Sequence, residues 1–333
     1  MLIAGDSDAI VATSLLEASN LVVLKGSSMI HSTANLGLHG QGSLNLSGPG
    51  DIIEAQHLVG PGSVLRGPLE NASDNAMAPR LYCKQKYCPV ELLHPPEDCN
   101  VNASLSFTLQ ICRVEDIIVE GSIEGSVVHF HLVRTVVVES SGVISASGLG
   151  CTGGLGHGAR LPNGLSSGAG HGGRGGDAYY GGTYISGGIA YGDAELPCEL
   201  GSGSGNESLS GATAGGGVIV MGSLEHSLLK LVAHGDIKAD GESYGKYVGG
   251  KDGGVVSDVG PGGGSGGTIL LFIHNFILSD TATISTSGGH GSPNCGGGGG
   301  GRIHFHWSDI PVGDEYMPMA IVKGTISVRF VCL

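Results

Sequence analysis

Residues 262–307 read GGGSGGTILLFIHNFILSDTATISTSGGHGSPNCGGGGGGRIHFHW and decide the class of fold. A glycine run leads into a strand-like segment at 268–273, and a short apolar segment follows at 283–286. A glycine-rich loop, another glycine run and a third strand-like segment at 302–307 complete the pattern. Because β-branched residues cluster between the glycines and no long helical spacing appears, the pattern predicts an all-β chain.

The pattern recurs in four copies along the chain. Ile118 and Val137 hold the same place in the first two copies and are 19 residues apart. That spacing is close to one coil of a parallel β-helix, in which each coil adds one strand to each sheet. The copies are DIIVEGSIEG (116–125), TVVVESSGVISASG (135–148), LKLVAHGDIKADG (229–241) and NFILSDTATISTSG (275–288). We therefore predict a right-handed parallel β-helix, a pectin-lyase-like solenoid, with long glycine-rich loops and a Cys-rich insertion.

Composition divides the chain into three predicted regions. Residues 1–60 form N-terminal β-coils, 61–111 a Cys/Pro-rich insertion, and 112–333 the glycine-rich β-helix repeats. Loops as long as the glycine tracts are usually functional or disordered, although the tracts could also pack as close glycine layers. The sequence leaves both arrangements open. The longest tracts are 149–216, 242–267 and 287–301.

Amino-acid usage excludes several classes of protein. Glycine supplies 63 of 333 residues, yet hydrophobic residues still reach 40%, so the chain has the core material that disordered chains lack. The glycines keep no strict three-residue period, which excludes collagen. A net charge of −14, from 16 Lys and Arg against 30 Asp and Glu, repels nucleic acid and anionic lipid. We expect no nucleic-acid partner and no membrane contact by this segment.

Eight cysteines and four Asn-x-Ser sequons favour an oxidising compartment. Four of the cysteines fall in or beside the insertion with the spacing C-x4-C-x10-C-x12-C, which matches no zinc module and indicates disulfides. Among themselves, four cysteines allow three connectivities. The disulfide candidates are Cys83, Cys88, Cys99 and Cys112, and the glycosylation candidates are Asn45, Asn71, Asn102 and Asn206.

The first 24 residues do not have the form of a signal peptide, because Asp6, Asp8 and Glu17 interrupt the apolar residues. No run approaches the roughly 18 apolar residues of a membrane span. Since the cysteines and sequons nevertheless favour secretion, we expect the sequence to be a fragment of a longer protein.

Several glycine-strand signatures resemble those of a group of large plant glycine-rich proteins. They are ISASG, TGGLGHG, GGGSGGTILL and GGHGSPNCGGGGGGRIHFHW, and the resemblance covers most of the chain. It implies a β-helical ectodomain followed by a membrane anchor near the C-terminus. It also implies a location on the extracellular side of the plasma membrane or in the secretory pathway. The resemblance implies no enzymatic activity.

The predicted fold is also that of pectin-degrading enzymes, and Gly-His-Gly at 156–158, 170–172 and 289–291 looks like the triplet of polygalacturonases. Inverting hydrolysis needs two or three carboxylates on one surface, and the Asn-Thr-Asp and Asp-Asp motifs of those enzymes are absent. Acids from separate coils, such as Asp177, Asp252 or Asp258, would have to converge. We therefore predict no catalytic residues and keep a pectinase-like, polysaccharide-active enzyme as the alternative.

Two His-Phe-His segments raise the question of a metal site. His129 and His131 share one face of a strand, as do His304 and His306, and stacked strands could bring all four imidazoles together. Such histidines more often line a solvated sheet face. We adopt that interpretation and predict neither metal nor other cofactor.

A tyrosine-rich part of the largest loop supplies the candidates for ligand contact. Exposed aromatic rings on a long β-helical face suit stacking on sugars. We therefore expect a structural or scaffolding ectodomain, or one that binds cell-wall polysaccharide, with polysaccharide or other surface proteins as partners. The candidate residues are Tyr179, Tyr180, Tyr184 and Tyr191.

Overall fold

Between residues 2 and 66, the computed structural model describes the strands and Ser63. Beyond residue 66 it describes Cys83, 88–97, Cys99, 107–204, 213–245, 260–307 and 320–330. Nearly all regular structure in these ranges is β-strand, which confirms the all-β prediction. The twelve strands of the first sheet are β1 (Leu2–Ala4), β3 (Leu15–Ala18), β4 (Leu21–Lys25), β6 (Leu36–Gly40), β7 (Gln56–Val59), β9 (Leu109–Val119), β11 (Val127–Val138), β15 (Val218–Met221), β16 (Leu228–Ala233), β18 (Thr268–Leu278), β20 (Arg302–Trp307) and β21 (Ala320–Val322).

A second sheet runs beside the first and contains eight strands. They are β2 (Asp8–Val11), β5 (Met29–Ser32), β8 (Val64–Arg66), β10 (Ser122–Glu124), β12 (Val143–Ser145), β17 (Asp236–Lys238), β19 (Thr283–Ser285) and β22 (Thr325–Ser327). The remaining elements are an antiparallel pair, β13 (Ala178–Tyr180) and β14 (Thr183–Ile185), and one short helix, α1 (Val90–Leu93).

All the strand pairings described in the two large sheets are parallel. The chain forms repeats of three strands, two in the first sheet and one in the second. Each strand of a repeat pairs with the corresponding strand of the repeat before it. Each of the long strands β9, β11 and β18 fills two neighbouring positions in the first sheet. Elsewhere in the chain, two separate strands fill those positions. Parallel sheets need crossover connections rather than tight hairpins, and the strands of the second sheet provide them.

The repeat predicted from the sequence sets the register of the sheets. Ile118 pairs with Val137, Val137 with Val232, and Val232 with Ile277. The four sequence copies therefore stack on one another, as the recurring pattern predicted.

Ladders of apolar side chains form the core between the two sheets. In the second sheet Ile123, Ile144, Ile237 and Ile284 follow one another in register, and all four side chains are fully buried. Burying a side chain of this size contributes about 1.5–3 kcal/mol. Because no single repeat can bury its own apolar face, this stabilisation depends on stacking.

The Cys-rich insertion covers the outer face of the first sheet. Helix α1 places Leu92, which is fully buried, against Phe107 and the outward-facing side chains of β11, β15 and β18. Strand β8 and the start of β9 fall within residues 61–111, so the sheets continue into both ends of the region predicted as the insertion.

Much of the described part of the glycine-rich tracts packs as buried layers, the second of the two arrangements that the sequence left open. Along residues 263–267, successive N–H groups donate hydrogen bonds to three different neighbouring segments. Every third N–H group donates to the same segment. A three-residue period without internal hydrogen bonds is that of a polyproline II chain. The donor and acceptor pairs are Gly263 to Gly296, Gly266 to Gly299, Gly264 to Glu242, Gly267 to Ala239, and Ser265 to Ser202.

This packing leaves no room for side chains between the segments. A Cβ atom on Gly168 would lie 1.8 Å from the carbonyl oxygen of Gly297, and one on Gly187 would lie 1.9 Å from that of Gly175. Both distances are far inside van der Waals contact. Close backbone approach is therefore the physical reason for glycine at these positions.

Substituting these glycines tests the layer arrangement. Gly168→Ala is expected to lower the free energy of unfolding by roughly 3 kcal/mol or more, because the new methyl group must force two backbones apart. Gly173→Ala is the matched control, since its Cβ would meet only one atom, the Gly300 nitrogen at 3.8 Å. We expect the control to change the free energy by less than about 1 kcal/mol. Denaturant unfolding followed by circular dichroism measures both, and equal losses would contradict the arrangement.

Candidate functional site: an exposed tyrosine hairpin

Strands β13 and β14 form a hairpin that projects from the glycine layers. They are joined by Gly181 and Gly182, whose φ angles of 58° and 83° suit a two-residue turn with both residues in the left-handed region. The inner face of the hairpin pairs Ala178 with Ile185, which pack on Leu165 and Cys295.

The outer face of the hairpin carries two tyrosines side by side. Tyr179 and Tyr184 are direct partners in the antiparallel ladder, and they are 63% and 60% exposed. Directly opposite residues have Cβ atoms about 4.5–5.5 Å apart, so the two side chains are neighbours. Tyr180 is next in sequence to Tyr179 and therefore lies on the opposite face, where it is 39% exposed. We call the surface of Tyr179 and Tyr184 the tyrosine face.

A polar network adjoins the tyrosine face and fixes it. Asp177 accepts hydrogen bonds from the Tyr184 hydroxyl at 2.7 Å, from Arg174 Nη2 at 2.7 Å and from the Gly187 N–H at 2.8 Å. Arg174 Nη2 also donates to Ser186 Oγ at 2.5 Å. The Gly187 N–H, followed by the Tyr184 hydroxyl, holds the pKa of Asp177 below its usual range. The carboxylate is therefore charged at neutral pH and orients the Tyr184 ring.

The fourth tyrosine candidate has a different environment. Tyr191 packs its ring against His171, with ring centroids 4.8 Å apart. Its hydroxyl donates to the Leu200 carbonyl and accepts from Ser202 Oγ. Burial raises the pKa of this hydroxyl. Tyr191 is therefore half-buried and packed against its neighbours, whereas Tyr179 and Tyr184 are exposed.

The carboxylates considered for catalysis are not brought together in the described residues. Asp177 is committed to three hydrogen bonds, and a lowered pKa is the opposite of what a general acid requires. Asp252 and Asp258 lie outside the described residues. Of the Gly-His-Gly histidines, His171 is buried and its Nδ1 lies 2.8 Å from the Gly266 carbonyl oxygen, whereas His157 and His290 are exposed.

The two His-Phe-His segments lie apart, so the idea of a four-histidine metal site is wrong. Strands β11 and β20 are separated by β15 and β18, which corresponds to about 14 Å between strand axes. Among the side chains that the structure describes, no three His, Cys, Asp or Glu residues are arranged to hold a metal ion.

The prediction of a solvated face is also wrong for His129 and His131. Both side chains are fully buried beneath the insertion, with ring centroids 5.6 Å apart. Gln110 Nε2 lies 3.1 Å from Nδ1 of His129. Burial is the main reason that the pKa of His129 falls to about 3 and that of His131 to about 4.

A set of histidine and glutamate side chains at the edge of the insertion was missed from the sequence. His226 lies beside His131, with ring centroids 5.9 Å apart, and its Nε2 is 3.7 Å from Glu97 Oε1. His94 of the insertion contacts Glu225. Only folding brings these residues together, because residues 94–97 and 225–226 are separated by more than a hundred positions.

The insertion cysteines all form disulfides, but only one bridge joins two of them. Cys99 is bonded to Cys112, whereas Cys83 is bonded to Cys151 and Cys88 to Cys198. The pairings considered from the sequence joined the four cysteines among themselves. They therefore missed Cys151 and Cys198, the partners in the glycine-rich region. Cys295 is buried and takes no part in these bridges. The sequons at Asn45, Asn71, Asn102 and Asn206 lie outside the described residues.

No protein-family model, curated protein or solved structure matches this chain. The resemblance to plant glycine-rich proteins stays a prediction. Disulfides are typical of oxidising compartments, and three of them are compatible with an extracellular location. Within the described ranges, no helix has the length and apolar character needed to cross a membrane.

Disulfide mapping tests the cross-links between the insertion and the glycine layers. Digestion of the unreduced protein is expected to release three linked peptide pairs, because the bonded cysteines have Cα–Cα distances of 5.5–6.2 Å, within the usual range. Cys295 should react with iodoacetamide only after unfolding, because it is buried. Mass spectrometry reads out both results, and a peptide with Cys83 bonded to Cys88 would contradict the assignment.

The buried histidines His129 and His131 predict an acid-sensitive fold. Both must stay neutral when buried, whereas in the unfolded chain they bind protons below about pH 6.5. Stability should therefore fall as the pH decreases from 6.5 toward 4, by about 2 kcal/mol per histidine at pH 5. Urea unfolding between pH 7.5 and 4.5 measures the loss. The double variant His129→Gln/His131→Gln should give a flatter profile, and an unchanged slope would contradict the assignment.

Proposed function

We propose that this chain is a non-enzymatic scaffold domain of a secreted or cell-surface protein that binds polysaccharide through the tyrosine face. The three disulfides and the acidic charge support an extracellular setting. The glycine-strand signatures support membership of the large plant glycine-rich proteins, in which the domain would belong to a membrane-anchored ectodomain.

We further propose that the three-strand repeats wind as a right-handed parallel β-helix. Seven successive three-strand repeats within the described residues pair in parallel and in register, which supports a solenoid. Such a domain presents a long, rigid surface, which suits both spacing and contact with extended polymers.

Polysaccharide binding is carried by one observation: two exposed tyrosines lie side by side on a rigid support. Large exposed aromatic side chains on soluble proteins commonly mark interaction sites. A pyranose ring offers a face of C–H bonds that packs on an aromatic ring, while its hydroxyl groups bond to polar neighbours. The tyrosine face has both parts, because Asp177 is bonded to the Tyr184 hydroxyl and Arg174 links Asp177 to Ser186. The Asp177 hydrogen bond holds Tyr184 in place, so binding requires little further ordering.

Affinity electrophoresis through gels that contain soluble plant polysaccharides tests this proposal. The wild-type protein is expected to be retarded by at least one polysaccharide. Tyr179→Ala/Tyr184→Ala should weaken that retention at least about tenfold, because both stacking surfaces are removed. Tyr180→Ala is the matched control on the opposite face of the hairpin and should stay within about twofold of wild type.

Folding of each variant is checked by circular dichroism before binding is compared. Absence of retention by every polysaccharide would refute polysaccharide binding. Retention of the double variant at the wild-type level would refute the tyrosine face as its site.

A further inference from the structure

We infer that the tyrosine face selects neutral polysaccharide chains, such as β-linked glucans or xylans, and discriminates against polyuronates. This inference rests on the proposed polysaccharide-binding function and adds to it the chemical class of the ligand.

The cation of the polar network is already paired with a carboxylate. Arg174 is the basic residue of the network, and its Nη2 lies 2.7 Å from Asp177 Oδ1. The same nitrogen also donates to Ser186. A uronate carboxylate arriving at this site would have to compete with Asp177 for the guanidinium. The usual device for recognising a carboxylate, a guanidinium that is free to form paired hydrogen bonds, is therefore already engaged.

Asp177 itself opposes a negatively charged sugar. It is fixed by hydrogen bonds beside Tyr184, and its pKa lies below the usual range. It is therefore ionised at pH 7, where a polyuronate is also ionised. Like charges placed next to each other in an interface oppose binding, and this repulsion is a common source of specificity.

The loop that carries the hairpin has a net negative charge. Between residues 151 and 204 there are four acidic residues, at 177, 193, 195 and 199, and two basic residues, at 160 and 174. Of these, Asp193 and Glu195 are exposed on the segment that follows the hairpin. The whole chain carries a net charge of −14, so the long-range field also repels a polyanion.

A neutral chain meets none of these penalties. Its C–H faces can pack on Tyr179 and Tyr184, and its hydroxyl groups can donate to Asp177. The ionised carboxylate that repels a uronate is, for a neutral sugar, a strong hydrogen-bond acceptor. The same residue therefore favours one class of ligand and disfavours the other.

Matched hexasaccharides test the inference. Binding of cellohexaose, xylohexaose and hexagalacturonate to the purified protein is measured by titration calorimetry at pH 7, in 20 mM and in 300 mM salt. At least one neutral hexasaccharide is expected to bind ten times or more tightly than hexagalacturonate at low salt. The ratio should shrink at high salt, because added ions screen the repulsion.

Asp177→Asn supplies the second measurement. The substitution removes the negative charge and leaves Arg174 without its counter-charge, so the affinity for hexagalacturonate relative to the neutral chain should rise at least fivefold. Hexagalacturonate binding to the wild-type protein as tightly as the neutral chains would overturn the inference while leaving polysaccharide binding intact. Binding of no hexasaccharide, together with no retention in the polysaccharide gels, would overturn the proposed function itself.

Discussion

The contact between glycine backbones is the constraint on which the rest of this structure depends. Carbonyl oxygens of one segment occupy the places that Cβ atoms would need in the next, as at Gly168 and Gly297. The absence of side chains lets backbone N–H and C=O groups of several segments meet directly, and each group must be paired when buried. Hydrogen bonds in three directions satisfy this requirement, so segments without regular strand pairing become a rigid part of the fold.

The glycine layers and the sheets form one continuous hydrogen-bonded structure. Gly217 accepts from Thr268 and Gly267 accepts from Arg302, so each layer leads directly into a strand of the first sheet. Two disulfides then connect the layers to the insertion that covers the outer face of that sheet. A change in the layers is therefore transmitted to the strands, to the insertion and to the hairpin, all of which use the layers as their support.

The sequence predicted the parts of the fold that depend on periodicity. Ile118 and Val137 pair as their spacing indicated, because stacked repeats place like residues over like. The glycine layers could not be assigned, since a flexible linker and a packed layer have the same composition. Likewise, Tyr184 and Tyr191 occur in similar glycine-rich surroundings, and only the fold places one in solvent and the other beside His171. The disulfide partners of Cys83 and Cys88 depend on the same long-range packing.

The position of the candidate site follows from the constraint on the layers. At positions such as Gly168 and Gly187 the packed layers leave no space for a Cβ atom, so no side chain can extend between the segments there. Exposed side chains are instead found where the backbone leaves the layers. The hairpin that turns at Gly181 and Gly182 is such a place, since nothing lies within 4 Å of the Cβ positions of either glycine. Its two tyrosines gain exposure from the turn, and Tyr184 is held by Asp177, which is bonded to the Gly187 N–H as the chain enters the next layer.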